Sequence, residues 1–217
     1  RFINLGLPYK IIGGLRFYER KEIKDVIAYL RLIHNMSDNL AFERIINLPK
    51  RGIGKTTLNK IYNIERSKKM SMLDASQELI QNSKTKVNIE ISEFIFKVNK
   101  WNKLKNEINH IELTEIVLED SNYIQYLEQE EKSLKNPDNL NRLDNIKEFL
   151  ESLKDFENLE GFLEHVSLVM ENITNTSEET IALMTMHGSK GLEFDNVFLA
   201  GWEEGVFPSK RSIDEKG

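Results

Sequence analysis

A chain of 217 residues, 40% hydrophobic and 30% charged, can bury the core of one large or two small domains, and that balance excludes a disordered segment. No apolar run reaches the roughly 18 residues of a membrane-spanning helix, and no cationic start leads into an apolar stretch, so a membrane or secreted protein is not expected. With no cysteine and four scattered histidines, disulfides, thiolate nucleophiles and metal sites drop out, and a reducing cytoplasm is the expected compartment. The net charge of −5 is unevenly spread: Arg44 to Lys69 holds eight basic residues against one acid, Glu65, for +7, which leaves −12 on the remainder. Such a zone can hold a phosphate backbone in one groove while the acidic body repels it elsewhere; a solvated helix face is the plain alternative.

The first element is a β-prone run, Tyr9 to Ile12, closed by Gly13-Gly14. A helix follows over Glu19 to His34, where Ile23, Val26, Ile27, Leu30 and Ile33 recur at three-to-four spacing. Ser37 or Asp38 can cap a second helix running to about Leu48, stopped by Pro49 and Gly52-Ile53-Gly54, and Thr56 can start a third with Leu58, Ile61 and Tyr62. Ser71 caps a short helix. Val87, Ile91, Phe94, Val98, Trp101, Leu104 and Ile108 then mark a long amphipathic one, whose stripe, Trp101 included, reads as core. Thr114 to Glu131, Asp138 to Phe156 and Leu159 to Asn172 continue the helical pattern, with His34, His110 and His165 on helix ends or faces as structural residues. After Thr180 the pattern changes, and Ile181 to Thr185 and Val197 to Ala200 read as short buried strands. Strands at both ends of a helical middle suggest an insertion into an α/β domain whose halves meet in space.

Ligands in open α/β sheets bind at loops leaving the carboxyl ends of strands, and the turn in IALMTMHGSKGLEF, Ile181 to Phe194, is such a loop. Thr185 and His187 can donate to a phosphate, Gly188 and Gly191 permit close backbone approach, Lys190 adds charge and Glu193 can accept from hydroxyls. A surface turn with a capping threonine is the alternative. The string T-x-H-x-x-K-G-L-E-F, followed by a β run and G-W-E-E-G-V-F-P, closely resembles motif V and its trailing segment in superfamily 1 helicases of the UvrD/PcrA/Rep group. The resemblance implies that Thr185 and His187 lie on a single-stranded DNA backbone. It also implies that Glu193, with Lys190 and Gly191, faces the nucleotide, Glu193 touching its ribose. Trp202 stands where the family more often has methionine and is left without a role.

The amino end resembles the same family independently. L-G-L-P-Y-K-I-I-G-G-L-R-F-Y-E-R-K-E-I-K-D, Leu5 to Asp25, is similar to the crossing from the second RecA-like motor domain into its accessory subdomain. For Arg16, Phe17, Tyr18 and Arg20 this implies DNA contact or hinge signalling, with helix start and packing as the alternative. A third string, P-K-R-G-I-G-K-T-T-L, resembles the Gly-Ile-Gly element with which this family's accessory subdomain holds duplex DNA. That makes Lys50, Arg51, Gly52, Ile53, Gly54, Lys55 and Thr56 the implied DNA-binding residues. A glycine turn feeding a helix amino end exposes backbone N–H groups to a phosphate, Lys50, Arg51 and Lys55 add countercharge, and the contact is sequence-independent. The same string misses the Walker A pattern at its first position, where Pro49 removes an amide, and a helix rather than a strand precedes it, so no ATP-binding loop is expected there.

The resemblance implies a mainly α chain: a helical accessory subdomain, residues 19–175, inserted into a partial RecA-like α/β domain made of residues 1–18 and 176–217. Phosphoryl transfer needs a phosphate cradle, a magnesium-binding acid, a water-orienting residue and usually an arginine finger. Neither a credible Walker A nor a credible Walker B run is found, and the family's arginine-bearing motifs are expected just outside both ends. No catalytic residue is therefore assigned, and the isolated chain is expected to hold no cofactor, ATP and Mg2+ acting in the intact protein. That protein is expected to be a bacterial, cytoplasmic 3'-5' DNA helicase of repair or replication. Its implied partners are single-stranded and duplex DNA, the other domains of the same polypeptide, and repair proteins. The helical block is expected to pivot on Gly13-Gly14 and the Asn172 to Thr180 linker. Two alternatives stay open: part of a recombination helicase-nuclease, or a helical module that recruits a partner protein or autoinhibits the motor.

Overall fold

The computed structural model describes residues 7, 9–12, 17–81, 85–133, 141–174, 180–184, 189 and 191–201. Its strands are β1 (Tyr9–Ile12) and β2 (Ile181–Met184), paired in parallel with Tyr9 opposite Ile181 and Ile12 opposite Met184. Parallel neighbours require a crossover, and here the whole helical middle provides it. Tyr9–Ile12 and Ile181–Met184 therefore meet, and the helices leave and return at one small sheet.

A 3-10 turn at Phe17–Glu19 leads into α1 (Lys21–His34). The predicted stripe is buried, but so are Ala28, Tyr29 and Leu32, because α2, α5, α6, α8 and α9 all pack around α1. The helix is thus the axis of the core rather than one wall of it. Being buried on nearly every side, it must provide Glu22 and Asp25 with polar partners inside the fold. Asn145 Nδ2 donates to Glu22 at 2.6 Å, and Arg44 (2.6 Å) and the Tyr123 hydroxyl (2.8 Å) hold Asp25. Burial pushes the Asp25 carboxyl up, while the Tyr123 hydrogen bond and the Arg44 guanidinium pull against it.

The remaining helices are α2 (Asn39–Ile45), α3 (Lys55–Lys68), α4 (Met72–Gln81), α5 (Lys86–Leu104), α6 (His110–Asp120), α7 (Tyr123–Ser133), α8 (Arg142–Leu153) and α9 (Leu159–Thr174). Side-chain caps fix several starts: Asp38 accepts from Ala41 N at 2.9 Å, and Asn109 from Glu112 N at 2.9 Å. Ser71 and Asp74 cap α4 reciprocally. Between Thr114 and Glu131, where one helix is predicted, Ser121 and Asn122 break the pattern, Asn122 adopting φ +60°, which asparagine tolerates better than most residues. Trp101 is fully buried, its indole N–H donating to Asp120 Oδ2 at 3.1 Å, and His110 Nε2 sits 2.9 Å from the Leu153 carbonyl.

The expected strand at Val197 to Ala200 is not formed. Those residues are exposed coil, with Phe198 95% exposed. A continuous apolar run reads as a buried parallel strand only if neighbours flank it, and among the described residues the sheet has two strands.

Candidate nucleic-acid interface

The Gly-Ile-Gly loop is a bridge between two helix ends. Where α2 stops, Asn47 Oδ1 accepts from Arg51 N at 2.8 Å and Ile53 N at 3.2 Å, folding the intervening residues into a tight reversal that contains a cis Leu48-Pro49 bond. Gly52 takes φ +73°, a conformation that glycine alone adopts freely. Ile53, 1% exposed, drops into the core and pins the loop. Gly54 is the N-cap of α3 and offers no side-chain cap, and the first turn carries no acid, so the helix dipole faces outward with neither a cap nor a countercharge. No atom lies within 4 Å of where a Cβ would stand on Gly52 or Gly54, so the backbone is open to a close ligand.

The basic zone separates into inner and outer charges. Arg44 is paired with Asp25, and Lys68 with Glu78 at 2.7 Å. Arg51 Nη1 donates to the carbonyls of Ile45 (2.9 Å), Ile46 (3.0 Å) and Leu48 (3.0 Å), and Nη2 to the Tyr29 hydroxyl (3.1 Å), while Cζ lies 4.8 Å from the centre of the Phe94 ring. Tyr29 donates in turn to the Leu48 carbonyl. Burial raises the Tyr29 pKa more strongly than Arg51 lowers it, so the phenol keeps its proton. Arg51 thus departs from expectation: it is not a free countercharge, because the carbonyls of Ile45, Ile46 and Leu48 and the Tyr29 hydroxyl occupy it. Ile53 departs likewise, its side chain being inside. Lys50, Lys55, Lys60 and Thr56 are exposed, and among the described residues none of the three lysines joins an ion pair. Beneath the loop, Lys50 and Arg51 share a cleft of about 150 Å³ with Glu90 and Glu93. Those carboxylates disfavour phosphate there and leave the outer rim as the accessible side.

The second expected site is described only in part. Gly191 has φ +83°, Leu192 N donates to Ser189 O at 3.0 Å, and Glu193 is exposed. Thr185, His187, Gly188, Lys190, Trp202, Arg16 and Gly13-Gly14 lie outside the described residues, as does most of the Asn172 to Thr180 linker. Phe17 and Tyr18 are half-buried: Phe149 stacks on Phe17 with the rings 6.5 Å apart, and the Arg20 guanidinium lies 5.2 Å from the Phe17 ring centre. The packing alternative therefore fits Phe17 better than a free stacking platform. Asn47, Tyr29 and Phe94 shape the interface, although sequence alone gives none of them a part in it. An asparagine just ahead of a Pro-Lys-Arg-Gly turn is a readable signal for Asn47, whereas Tyr29 and Phe94 look like any core residue.

Comparison with known proteins identifies the family. The family model described as the UvrD-like helicase C-terminal domain matches residues 1–217. Among curated relatives, a probable DNA helicase II homolog of Rickettsia felis is 46% identical over 222 residues, covering 100% of this chain and 33% of its own length. The ATP-dependent DNA helicase PcrA of Bacillus subtilis is 38% identical over 228 residues, covering 99% of this chain and 30% of its own. That of Staphylococcus aureus strain MRSA252 is 38% identical over 226 residues, covering 100% and 30%. The chain thus spans about a third of the length of the relatives it matches, and it belongs to the UvrD-like helicase C-terminal domain family.

Proposed function

We propose that the chain is the DNA-gripping part of an ATP-dependent DNA helicase that unwinds duplex DNA with 3'-5' polarity in repair or replication. Residues 19–175 act as the accessory subdomain, and the two ends belong to the second RecA-like domain. The parallel pairing of β1 with β2 supports that division, since it joins the ends into one sheet. The observation that carries the duplex contact is the uncapped, acid-free amino end of α3, set behind two open glycines and flanked by exposed Lys50 and Lys55. Backbone N–H groups of this turn would hold a phosphate and the lysines would neutralise its neighbours, without reading bases. Thr185 and His187 are assigned to the single strand and Glu193, Lys190 and Gly191 to the nucleotide by their motif. ATP, Mg2+ and the remaining motor residues act in the whole polypeptide. Residues 191–201 expose Leu192, Phe194, Val197, Phe198 and Leu199, a surface suited to covering by other domains of that polypeptide.

A duplex-binding titration against salt tests the reading. The logarithm of affinity should fall linearly with the logarithm of salt concentration, and Lys50→Ala with Lys55→Ala should flatten that line by about 0.9 for each phosphate no longer neutralised. An unchanged slope in the double variant would reduce the loop to a structural turn.

A further inference from the structure

We infer that Arg51 is a positioning residue of the phosphate loop rather than a phosphate ligand, and that Tyr29 and Phe94 complete its mount. This rests on the duplex-contact reading of the loop. Carbonyls at a helix carboxyl end need donors. Here Arg51 Nη1 lies within 3.0 Å of three carbonyls at and just beyond the end of α2, those of Ile45, Ile46 and Leu48, three to six residues upstream, and closes the chain into a ring just before Gly52; Leu48 N and the Tyr29 hydroxyl donate into the same ring. Behind that ring stand two residues from distant elements, the Tyr29 hydroxyl on α1 and the Phe94 face on α5. The Arg51 amide is tied as well, to Asn47, which also holds the Ile53 amide. What lies outside the ring is Lys50, the open glycines and the amino end of α3. The position of those groups relative to the core is thus set by a planar, multi-donor side chain whose fork geometry a lysine does not reproduce.

The distinction is measurable because a phosphate ligand and a mount respond differently to the same changes. As a ligand, Arg51 could be replaced by lysine with its charge, and most of its affinity, retained. As a mount, Arg51→Lys keeps the charge and loses the geometry, so duplex affinity of the chain at fixed salt should drop on the order of tenfold, the size of one charged hydrogen bond. Tyr29→Phe removes a fully buried hydroxyl that no DNA can touch, and should weaken duplex binding severalfold while leaving the salt slope unchanged. Hydrogen exchange in the absence of DNA gives an independent arm: the amides of Arg51 and Ile53 should exchange faster in both variants and unchanged in Lys50→Ala. Wild-type affinity and wild-type exchange in Arg51→Lys, together with a slope flattened by about 0.9 in Arg51→Ala, would overturn the inference and make Arg51 a ligand. Should the wild-type chain show no salt-dependent duplex binding, the phosphate reading falls, and the exchange arm alone decides whether Arg51 holds the loop.

Discussion

Two glycine turns of this chain are proposed to meet phosphates, and they are built in opposite ways. The turn around Gly52 is anchored by Asn47, Arg51 and the buried Ile53 of its own loop and by Tyr29 on α1 and Phe94 on α5, so every group named as holding it belongs to this chain. The segment from Gly191 to Gly201 also contains positive-φ glycines, yet its apolar side chains face outward and its one described backbone bond is local. The first is supported within the chain, whereas the second presents surface to something else. A glycine motif is therefore not a site by itself. The supporting shell decides how far the geometry can be read.

The sharpest test of this contrast is one charge placed in each region. Ile53→Asp puts a carboxylate into the core and should destabilise the chain by several kcal/mol, an unpaired buried charge being among the costliest changes. Phe198→Asp should change the chain's stability by no more than about 0.5 kcal/mol. Comparable losses in chemical denaturation would erase the distinction.

Next in size is Arg44→Met, which strips the buried Asp25 of its ion pair and should cost about 3 kcal/mol at neutral pH. Burial already holds the Asp25 pKa above its ordinary range. The folded state therefore takes up a proton there more readily than the unfolded chain, and the deficit should shrink as pH falls through that raised value. A deficit that grows on acidification would contradict the assignment.

A smaller effect comes from Gly52→Ala and Gly191→Ala. Both glycines have open space and positive φ, so each substitution should cost about 1 kcal/mol of backbone strain. Duplex affinity measured in parallel should fall for Gly52→Ala and stay unchanged for Gly191→Ala.

The smallest effect concerns Asp120, whose neighbours Ser121 and Asn122 line the cleft shared by Lys50 and Arg51. Burial works to raise its carboxyl, but Lys100 at 2.8 Å and the Trp101 indole at 3.1 Å prevail and hold it below the ordinary range. Its contribution is present above the ordinary carboxylate pKa and is lost as pH falls through the lowered folded value. Thermal melts of Asp120→Asn should accordingly show a shallower acid limb than wild type.

The helical middle was legible because periodicity and caps are local. Asp38 and Ser71 announce their helices, and the stripe of α5 becomes a buried face. What could not be read is tertiary. Periodicity assigned α1 one apolar face, whereas five helices surround it. The basic count from Arg44 to Lys69 could not show that Arg44 is paired with Asp25 and Arg51 held by carbonyls, since charge in a sequence carries no direction. The run Val197 to Ala200 has strand composition, but strands need partners, and composition does not supply them.

One consequence of the parallel β1–β2 pair remains. The chain leaves the sheet after Ile12 and returns at Ile181, which lies opposite Tyr9, so the two departure points are roughly 10 Å apart, one short strand's length. An ordinary crossover of about a dozen residues closes such a gap. In topology, therefore, a short helix could take the place of the whole helical body without re-threading the sheet.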